Sequence, residues 1–310
     1  MSVPYSSRIV CRFVVVFGFV AIHCVEAGAD PVPVAISQVR AESPRKITCL
    51  PGEPANVTLC PVQCEINAVT VAPFAIAGVV TLPSGAASQS YDDQGFQISD
   101  GTAGIFVKTG TDNLGARIGD RAAVSGTPEC LGGTLALGDT VVQLKTASLD
   151  LDADSDSDSE SDSAAKSARA AGHQPPAVFS PRQIGGFRAE PEAVAGIPGV
   201  TPNWCDCLDP VSYTDGDLIT VRGTLVTGVI ADLPYGHKLF LDDGKGVAQV
   251  FIDLGTGIPV TELSGRLLKQ GADLCVTGVV AQFASVGFEL LPRNRGDLRR
   301  AKSGAANPCD

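Results

Sequence analysis

Residues 96–107 read F-Q-I-S-D-G-T-A-G-I-F-V, and this stretch decides the fold of the chain. Apolar residues occupy every second position on both sides of Asp100 and Gly101. A period of two is typical of β-strands that bury one face. Aspartate and glycine tolerate the positive φ angles of tight turns, and they therefore favour a chain reversal at this point. The stretch predicts a β-hairpin of two half-buried strands.

The same pattern occurs a second time in residues 239–252, which read L-F-L-D-D-G-K-G-V-A-Q-V-F-I. In both copies a run rich in β-branched residues precedes the hairpin, at 74–82 and at 218–230. A turn with glycine and aspartate and a further strand follow, at 119–126 and at 270–278. A chain of 310 residues is long enough for two domains. The repeat therefore predicts a duplicated small β-domain.

Each copy is expected to form five strands around its central hairpin. In the second copy, residues 259–270 carry apolar residues at i, i+3 and i+7, a spacing that indicates a helix. Five strands with a central hairpin and a helix after the third strand describe an OB-fold barrel. We expect an all-β fold of two five-stranded OB-like barrels in tandem, over residues 66–147 and 204–302. The short helix is expected between strands 3 and 4 of the second barrel.

The residues also resemble a known group of proteins. Residues 96–107 fit the pattern F-x-I-x-D-G-x-x-G-I-x-V, and residues 119–126 fit G-D-x-x-x-V-x-G. Both patterns resemble those of bacterial exported tandem OB-fold proteins, whose barrels are similar to nucleic-acid-binding OB domains. The second copy fits more loosely. The resemblance implies the fold and implies no activity, because turn geometry alone accounts for the aspartates and glycines.

The first residues have the features of a secretory signal peptide over residues 1–27. Arg8 and Arg12 precede an apolar run, and small residues stand before the expected cleavage point. The apolar run is too short to span a hydrocarbon core of about 30 Å, so no integral membrane span is expected. We expect export to the periplasm or the extracellular space. Residues 28–65 then form an extended, cysteine-rich N-terminal arm.

Cysteines of the exported chain are expected to form disulfides. Eight remain after removal of the first 27 residues, four on each side of the acidic run. An even number in an exported protein favours disulfide bonds, whose pairing the sequence leaves open. The spacings do not match the usual paired C-x2-C motifs of zinc sites, and neither a metal nor a cofactor is expected. The residues concerned are Cys49, Cys60, Cys64, Cys130, Cys205, Cys207, Cys275 and Cys309.

The connection between the two copies spans residues 148–203 and is expected to be an acidic, disordered linker. Residues 150–162 contain seven carboxylates alternating mainly with serine and alanine, a large part of the formal net charge of −11. The run has too little apolar surface to offset the entropy lost on ordering. Calcium binding is the alternative, because clustered carboxylates suit a hard cation, but the glycines of known calcium loops are missing. Residues 303–310 form a C-terminal tail.

Aromatic and basic side chains supply the candidate binding surface. OB-folds often bind single-stranded nucleic acid or oligosaccharide across strands 2 and 3, through stacking rings and cationic groups. The strand alternation places one aromatic residue of the first copy and two of the second on the outer face. The alternative is that these rings cover apolar surface between the barrels, the arm and the linker. The candidate ligand-binding residues are Phe106, Lys238, Phe240, Phe251, Arg293, Arg295 and Arg299.

Catalysis is not expected. No histidine lies near a nucleophile motif, and Asp242-Asp243-Gly244 reads as a hairpin turn. Two hypotheses for a non-catalytic binding protein remain open. The first is binding of single-stranded nucleic acid or another polyanion through the second barrel, because residues 66–147 carry only four Lys/Arg against seven Asp/Glu. The second is a protein- or glycan-interaction scaffold at the cell surface.

Overall fold

The structure is a computed structural model, and it describes part of the 310-residue chain. Predictions that fall on other residues, including those for the acidic run at 150–162, lie outside the described residues. Within described strands, some side chains are also left undescribed. The described residues are 9–16, 19–26, 32–43, 45–49, 62–66, 73–87, 94–110, 113–131, 134–146, 176–184, 216–244, 246–283, 287–305 and 307–309.

Before residue 67, the described residues form four strands and a helix. β1 (Ile9–Val16) and β2 (Phe19–Glu26) form an antiparallel hairpin inside the segment expected to be a signal peptide, whose removal stays a prediction. The helix α1 (Ile36–Glu42) follows. β3 (Arg45–Cys49) then pairs antiparallel with β4 (Val62–Ile66).

The helix α1 corrects the expectation of a fully extended arm. Ile36 and Val39 lie three positions apart, on one face of the helix, and both are fully buried in the core of the barrel described next. Their burial stabilises the helix, because a helix of this length is not stable alone in water. Val34 extends the contact, since its amide donates to the carbonyl of Ala75.

Five strands form a closed barrel with the neighbour order β5-β6-β7-β9-β8. β7 and β9 run parallel, and the other pairs run antiparallel. The strands are β5 (Phe74–Leu82), β6 (Gln94–Ser99), β7 (Gly104–Gly110), β8 (Arg121–Leu131) and β9 (Thr134–Lys145).

The hairpin predicted from residues 96–107 is confirmed as β6 and β7. Phe96 faces Val107 and Ile98 faces Ile105 across the pair, and all four side chains are buried in the barrel core. The turn at Asp100 to Ala103 joins them. Alternation therefore placed the core-facing residues correctly, since a strand presents every second side chain to one face.

The C-terminal half forms a second, eight-stranded sheet. Its strands are β10 (Val178–Phe179), β11 (Leu218–Leu225), β12 (Ile230–Asp232), β13 (Gly236–Asp242), β14 (Val247–Asp253), β15 (Asp273–Phe283), β16 (Gly287–Leu291) and β17 (Leu298–Arg300).

Pairing in the second sheet follows a closed circuit. β11 pairs with β13, β13 with β14, β14 in parallel with β16, β16 with β15, and β15 again with β11. β10, β12 and β17 add to this circuit at β11, β13 and β15. The apolar side chains that face inward form one buried core, which includes Val221, Leu239, Val250, Val276 and Leu290.

Three details of the second sheet differ from the sequence expectation. The long strand expected over residues 218–230 is divided into β11 and β12. The helix expected over residues 259–270 is the short α2 (Val260–Ser264), after which Gly265 ends the helix. The basic C-terminal stretch contains β17, which pairs antiparallel with β15.

Disulfide bonds are present on both sides of the linker. Cys275 and Cys309 are bonded, with their Cα atoms 5.5 Å apart, and Cys130 is disulfide-bonded as well. The other five cysteines expected to form bridges lie outside the described side chains. In the part of the chain that the structure covers, no helix has the length and apolar character needed to cross a membrane.

Candidate ligand-binding surfaces

The three aromatic residues expected to form a stacking platform are buried. Phe106 and Phe240 are each 2% exposed, and Phe251 is 5% exposed. Neither Phe106 nor Phe251 belongs to the core of its own sheet, so the predicted outward orientation holds for both. Stacking with a base requires an accessible ring face. The expectation of an open platform is therefore wrong for this arrangement.

Phe106 and Phe251 are buried because the barrel packs against the second sheet. They belong to one apolar cluster that takes residues from both, and removing two rings from water is strongly favourable. This agrees with the alternative that the rings cover apolar surface between the two units. The cluster consists of Leu82, Ala86, Ala87, Phe106, Ala136, Phe251, Val279, Ala281 and Leu291.

Hydrogen bonds and an ion pair also join the barrel to the second sheet. Gln97 Nε2 donates to the carbonyl of Gly216 over 2.6 Å, and the amide of Gly104 donates to Asp217 Oδ1 over 2.9 Å. Arg40, from α1, forms an ion pair with the same Asp217 oxygen at 3.2 Å. A Cβ atom on Gly104 would overlap the Gly216 carbonyl, so the two backbones approach as closely as glycine allows.

Arg293 is part of this contact and is not available to a ligand. Its side chain is 14% exposed and forms an ion pair with Asp297 at 2.8 Å. Its Nη1 also donates to the carbonyl of Thr81 in the barrel over 3.3 Å. Because a planar guanidinium held by a carboxylate in this way is already paired, the prediction of Arg293 as a ligand-binding residue is corrected.

Lys238 is also engaged within the protein. Its Nζ lies 2.7 Å from Asp232 Oδ2, and the lysine side chain is half-buried. The pair joins β12 to β13, where Ile230 faces Lys238. Lys238 is therefore not beside an open aromatic face, as the sequence reasoning had placed it.

Arg295 and Arg299 are exposed, as a binding role requires. Four further basic residues from the same part of the chain, Arg266, Lys269, Arg300 and Lys302, are also exposed. None of the six forms an ion pair with a described residue. Arg266, Arg295 and Arg300 lie together, and we refer to these three as the C-terminal basic face. Arg299 points to the opposite side of β17 from Arg300, because neighbouring side chains of a strand alternate.

A cleft of about 310 Å³ lies within the C-terminal basic face. It is bounded by α2 on one side and by the segment leading into β17 on the other. Arg300 holds the two sides together, because its Nη2 donates to the carbonyl of Arg266 over 2.9 Å. The cleft combines two guanidinium groups, one carboxylate and an apolar floor. Its lining residues are Glu262, Leu263, Arg266, Leu267, Arg295 and Leu298.

Arg266 and Lys269 were missed by the sequence reasoning. Both follow the short helix α2, whose apolar spacing had been recognised, but the position of Arg266 beside the C-terminal stretch depends on the pairing of β15 with β17. The signal present in the sequence was the excess of basic residues after position 260. Only the fold brings Arg266 next to Arg295 and Arg300.

Glu289 is a buried carboxyl group on β16. Gln249 Nε2 donates to its Oε2 over 3.0 Å, and Gln249 Oε1 is buried without a hydrogen-bond donor. Burial raises the pKa of Glu289 to about 7, and nearby Asp253 and Asp232 act in the same direction. The hydrogen bond from Gln249 and the charge of Lys238 act in the opposite direction. A protonated Glu289 would supply the donor that Gln249 Oε1 lacks.

The acidic residues of the two hairpin turns have structural roles. Asp100 accepts hydrogen bonds from the amides of Ile36, Thr102 and Ala103. Partial burial acts to raise the pKa of Asp100, but these bonds and that from the Thr102 hydroxyl lower it below its ordinary value. In the second hairpin, Asp242 accepts from the amide of Gly244. The turn chemistry expected from the sequence is present at both places.

Metal binding finds no support in the described residues, which contain no group of three His, Cys, Asp or Glu side chains placed to hold a metal ion. The calcium alternative for residues 150–162 falls outside the part of the chain that the structure describes and stays untested.

The fold and the surface define a predominantly β protein with a closed five-stranded barrel, a second sheet and an exposed cationic face. No family model matches the chain, and no curated protein matches it either. Similar solved structures include one described as the molecular basis for abrogation of activation of pro-inflammatory cytokines. It is 11% identical with a TM-score of 0.27, and the match covers 75% of this chain and 95% of that one.

A second similar structure is that of a murine DNA-binding protein bound to double-stranded DNA. It is also 11% identical with a TM-score of 0.27, and the match covers 76% of this chain and 100% of that one. Likeness at this level carries no argument about the function of the chain.

Proposed function

We propose that the chain is an exported, non-catalytic binding protein built from two OB-like barrels, and that its C-terminal basic face binds an anionic polymer. The disulfide between Cys275 and Cys309 supports an oxidising compartment, because such bonds persist mainly in exported proteins. The barrels supply a rigid scaffold, and the binding surface lies on the second of them.

The pairing order supports two barrels of one type. In the barrel, strands one to five in chain order are neighbours in the sequence 1-2-3-5-4, with the fourth returning to the first and the third parallel to the fifth. The circuit β11-β13-β14-β16-β15 repeats this order with the same parallel pair. An OB-fold is a five-stranded Greek-key barrel.

The observation that carries the proposal is the set of unpaired cationic groups on the C-terminal basic face. Glu262 is the carboxylate beside them in the cleft, and Asp273 nearby is already paired with Arg222 at 2.7 Å. A surface with this excess of positive charge attracts polyanions and releases their counterions on binding. Because the aromatic rings are buried, recognition rests on charge, and nucleic acid is one anionic polymer among several.

Binding of a fluorescent sulfated glycan and of an oligothymidylate tests the proposal, at salt concentrations between about 50 and 200 mM. Replacing three cations of the face, Arg266→Gln, Arg295→Gln and Arg300→Gln, is expected to lower the slope of log K against log salt by about two to three. A matched variant removes three exposed cations of the barrel, Arg117→Gln, Arg121→Gln and Lys145→Gln. It is expected to leave the slope unchanged.

Two results would contradict the proposal. One is a wild-type protein that binds neither polymer at the lowest salt concentration. The other is an equal loss of binding in the two triple variants. Binding would then depend on the total charge of the protein and not on the C-terminal basic face.

A protein-interaction scaffold remains the second candidate, and one observation favours it. Leu233 and Tyr235 in the turn between β12 and β13 are 66% and 52% exposed. Leu254 is 46% exposed, and its amide donates to the carbonyl of Tyr235. Adjacent exposed apolar side chains on a turn are a feature of protein contact sites. If the wild-type chain binds neither polymer, the protein-interaction scaffold is the candidate function that remains.

A further inference from the structure

We propose that the cleft of the C-terminal basic face binds one acidic sugar unit that carries an N-acetyl group. This inference rests on the proposed function, because it identifies the kind of unit that the anionic polymer presents. It is carried by three chemical features that line one cleft: an apolar floor, two free guanidinium groups and one carboxylate.

The floor requires an apolar group on the ligand. Leu263 and Leu298 are buried, and Leu267 is partly buried between them and solvent. A phosphate or sulfate group alone leaves this surface in contact with water. A methyl group placed on the floor is removed from water and adds to the affinity.

The walls require an anionic group close to that methyl group. Arg266 and Arg295 line the cleft, and neither forms an ion pair with a described residue. Guanidinium groups bind carboxylates and sulfates in paired hydrogen bonds with defined geometry. The anionic group of a sugar unit fits these donors.

Glu262 requires a hydrogen-bond donor on the same ligand. Its carboxylate lies in an otherwise cationic cleft and opposes an anion that has no donor. An N-acetyl group carries an amide N–H next to its methyl group, and a carboxylate accepts such a hydrogen bond. An N-acetylated acidic sugar therefore satisfies the floor, the guanidinium groups and the carboxylate together. The aromatic rings that bind nucleobases are absent from the lining residues, which disfavours nucleic acid in this cleft.

The test compares three probes on the full chain: chondroitin sulfate fragments, the same fragments carrying N-formyl in place of N-acetyl groups, and dextran sulfate. The first two differ by a methyl group and not in charge. We expect the wild-type protein to bind the N-acetyl fragments about fourfold more tightly, the value for burial of one methyl group. Leu267→Gln is expected to abolish this preference.

Glu262→Ala provides a second test, because it removes both the acceptor and the charge at an exposed helical position and does not threaten folding. Removing a negative charge is expected to strengthen binding of dextran sulfate, which has no amide. The same variant is expected to weaken binding of the N-acetyl fragments severalfold, since they lose their acceptor. Lys269→Gln changes an exposed cation that does not line the cleft, and it is expected to weaken binding of all three probes equally.

The outcomes separate this inference from the proposed function. Equal affinity for the N-acetyl and N-formyl fragments, or stronger binding of both in Glu262→Ala, would overturn the sugar assignment and retain polymer binding. Tighter binding of an oligothymidylate than of the fragments would overturn it as well. Failure of all probes to bind at low salt would overturn the inference together with the proposed function.

Discussion

Replacing Glu289 by glutamine should stabilise the protein at neutral and alkaline pH. The carboxyl group is buried, and its pKa lies near 7 in the folded protein, compared with an ordinary value of 4.5. Above pH 7 the folded protein must hold a buried anion, whereas the unfolded chain ionises in water. Glutamine has nearly the same shape, carries no charge, and offers an amide N–H to Gln249 Oε1, which is buried without a donor.

The direction and size of the effect follow from proton linkage. Between pH 4.5 and about 7 the folded protein retains a proton that the unfolded chain has lost, so the free energy of unfolding falls as the pH rises. The difference between the two pKa values corresponds to about 3 kcal/mol. The contribution of Glu289 is therefore most favourable below pH 4.5 and is lost by pH 7 to 8.

Urea unfolding of the wild-type protein and of Glu289→Gln at several pH values measures this effect. Other titrating groups are common to both proteins and cancel in the difference between them. The variant is expected to exceed the wild-type protein by about 3 kcal/mol at pH 8, and by less than about 1 kcal/mol near pH 5. Glu262→Gln serves as the control, because it makes the same substitution at an exposed position.

Two outcomes would refute this reasoning. A variant that is less stable than the wild-type protein at pH 8 would mean that the folded protein stabilises the ionised carboxylate of Glu289 through its surroundings. A difference that does not change with pH would mean that Glu289 does not titrate between the two states in this range.

Three further predictions concern a turn, a close backbone contact and a disulfide bond that stabilise the fold. Asp100→Ala should lower the free energy of unfolding by about 1–3 kcal/mol, because it leaves amide donors of the turn and of α1 unpaired. With its lowered pKa, Asp100 should lose this contribution as the pH falls below about 4, measured by acid unfolding. Gly104→Ala should cost about 1–3 kcal/mol in thermal unfolding, since its Cβ overlaps a facing carbonyl, whereas Gly265→Ala meets open space and should cost little. Replacing Cys275 and Cys309 together by serine should cost about 3–4 kcal/mol, because the bond closes a loop with a sequence separation of 34, and unchanged urea unfolding would contradict this.

The local pattern was sufficient to predict the hairpins. Phe96 and Ile98 alternate along the chain, and the direction in which a strand points its side chains depends only on that alternation. The turn at Asp100 likewise depends on residues next to each other in the sequence. The helix α1 was missed, although Ile36 and Val39 have a helical spacing, because two apolar residues in a short segment are a weak signal. Its stability comes from the barrel core that it covers.

The candidate site was predicted only in part, because exposure is not a local property. Arg295 and Arg299 are exposed as expected, and Arg295 lies on the C-terminal basic face, whereas Arg293 is paired with Asp297 at the contact between the two units. All three are basic residues within one short stretch of sequence. What distinguishes Arg293 is that its guanidinium lies against the carboxylate of Asp297 and the carbonyl of Thr81, and only the fold brings Thr81 there.

The sequence by itself determined that the chain contains two hairpins of one pattern and which side chains face each core, since alternation acts over a few neighbouring residues. The tertiary structure alone decided what became of the outward faces. Phe106 and Phe251 are far apart in the chain, and both are buried because two apolar faces gain more free energy by packing together than by remaining in water. That packing closed the aromatic surface and left the basic face of the second sheet exposed.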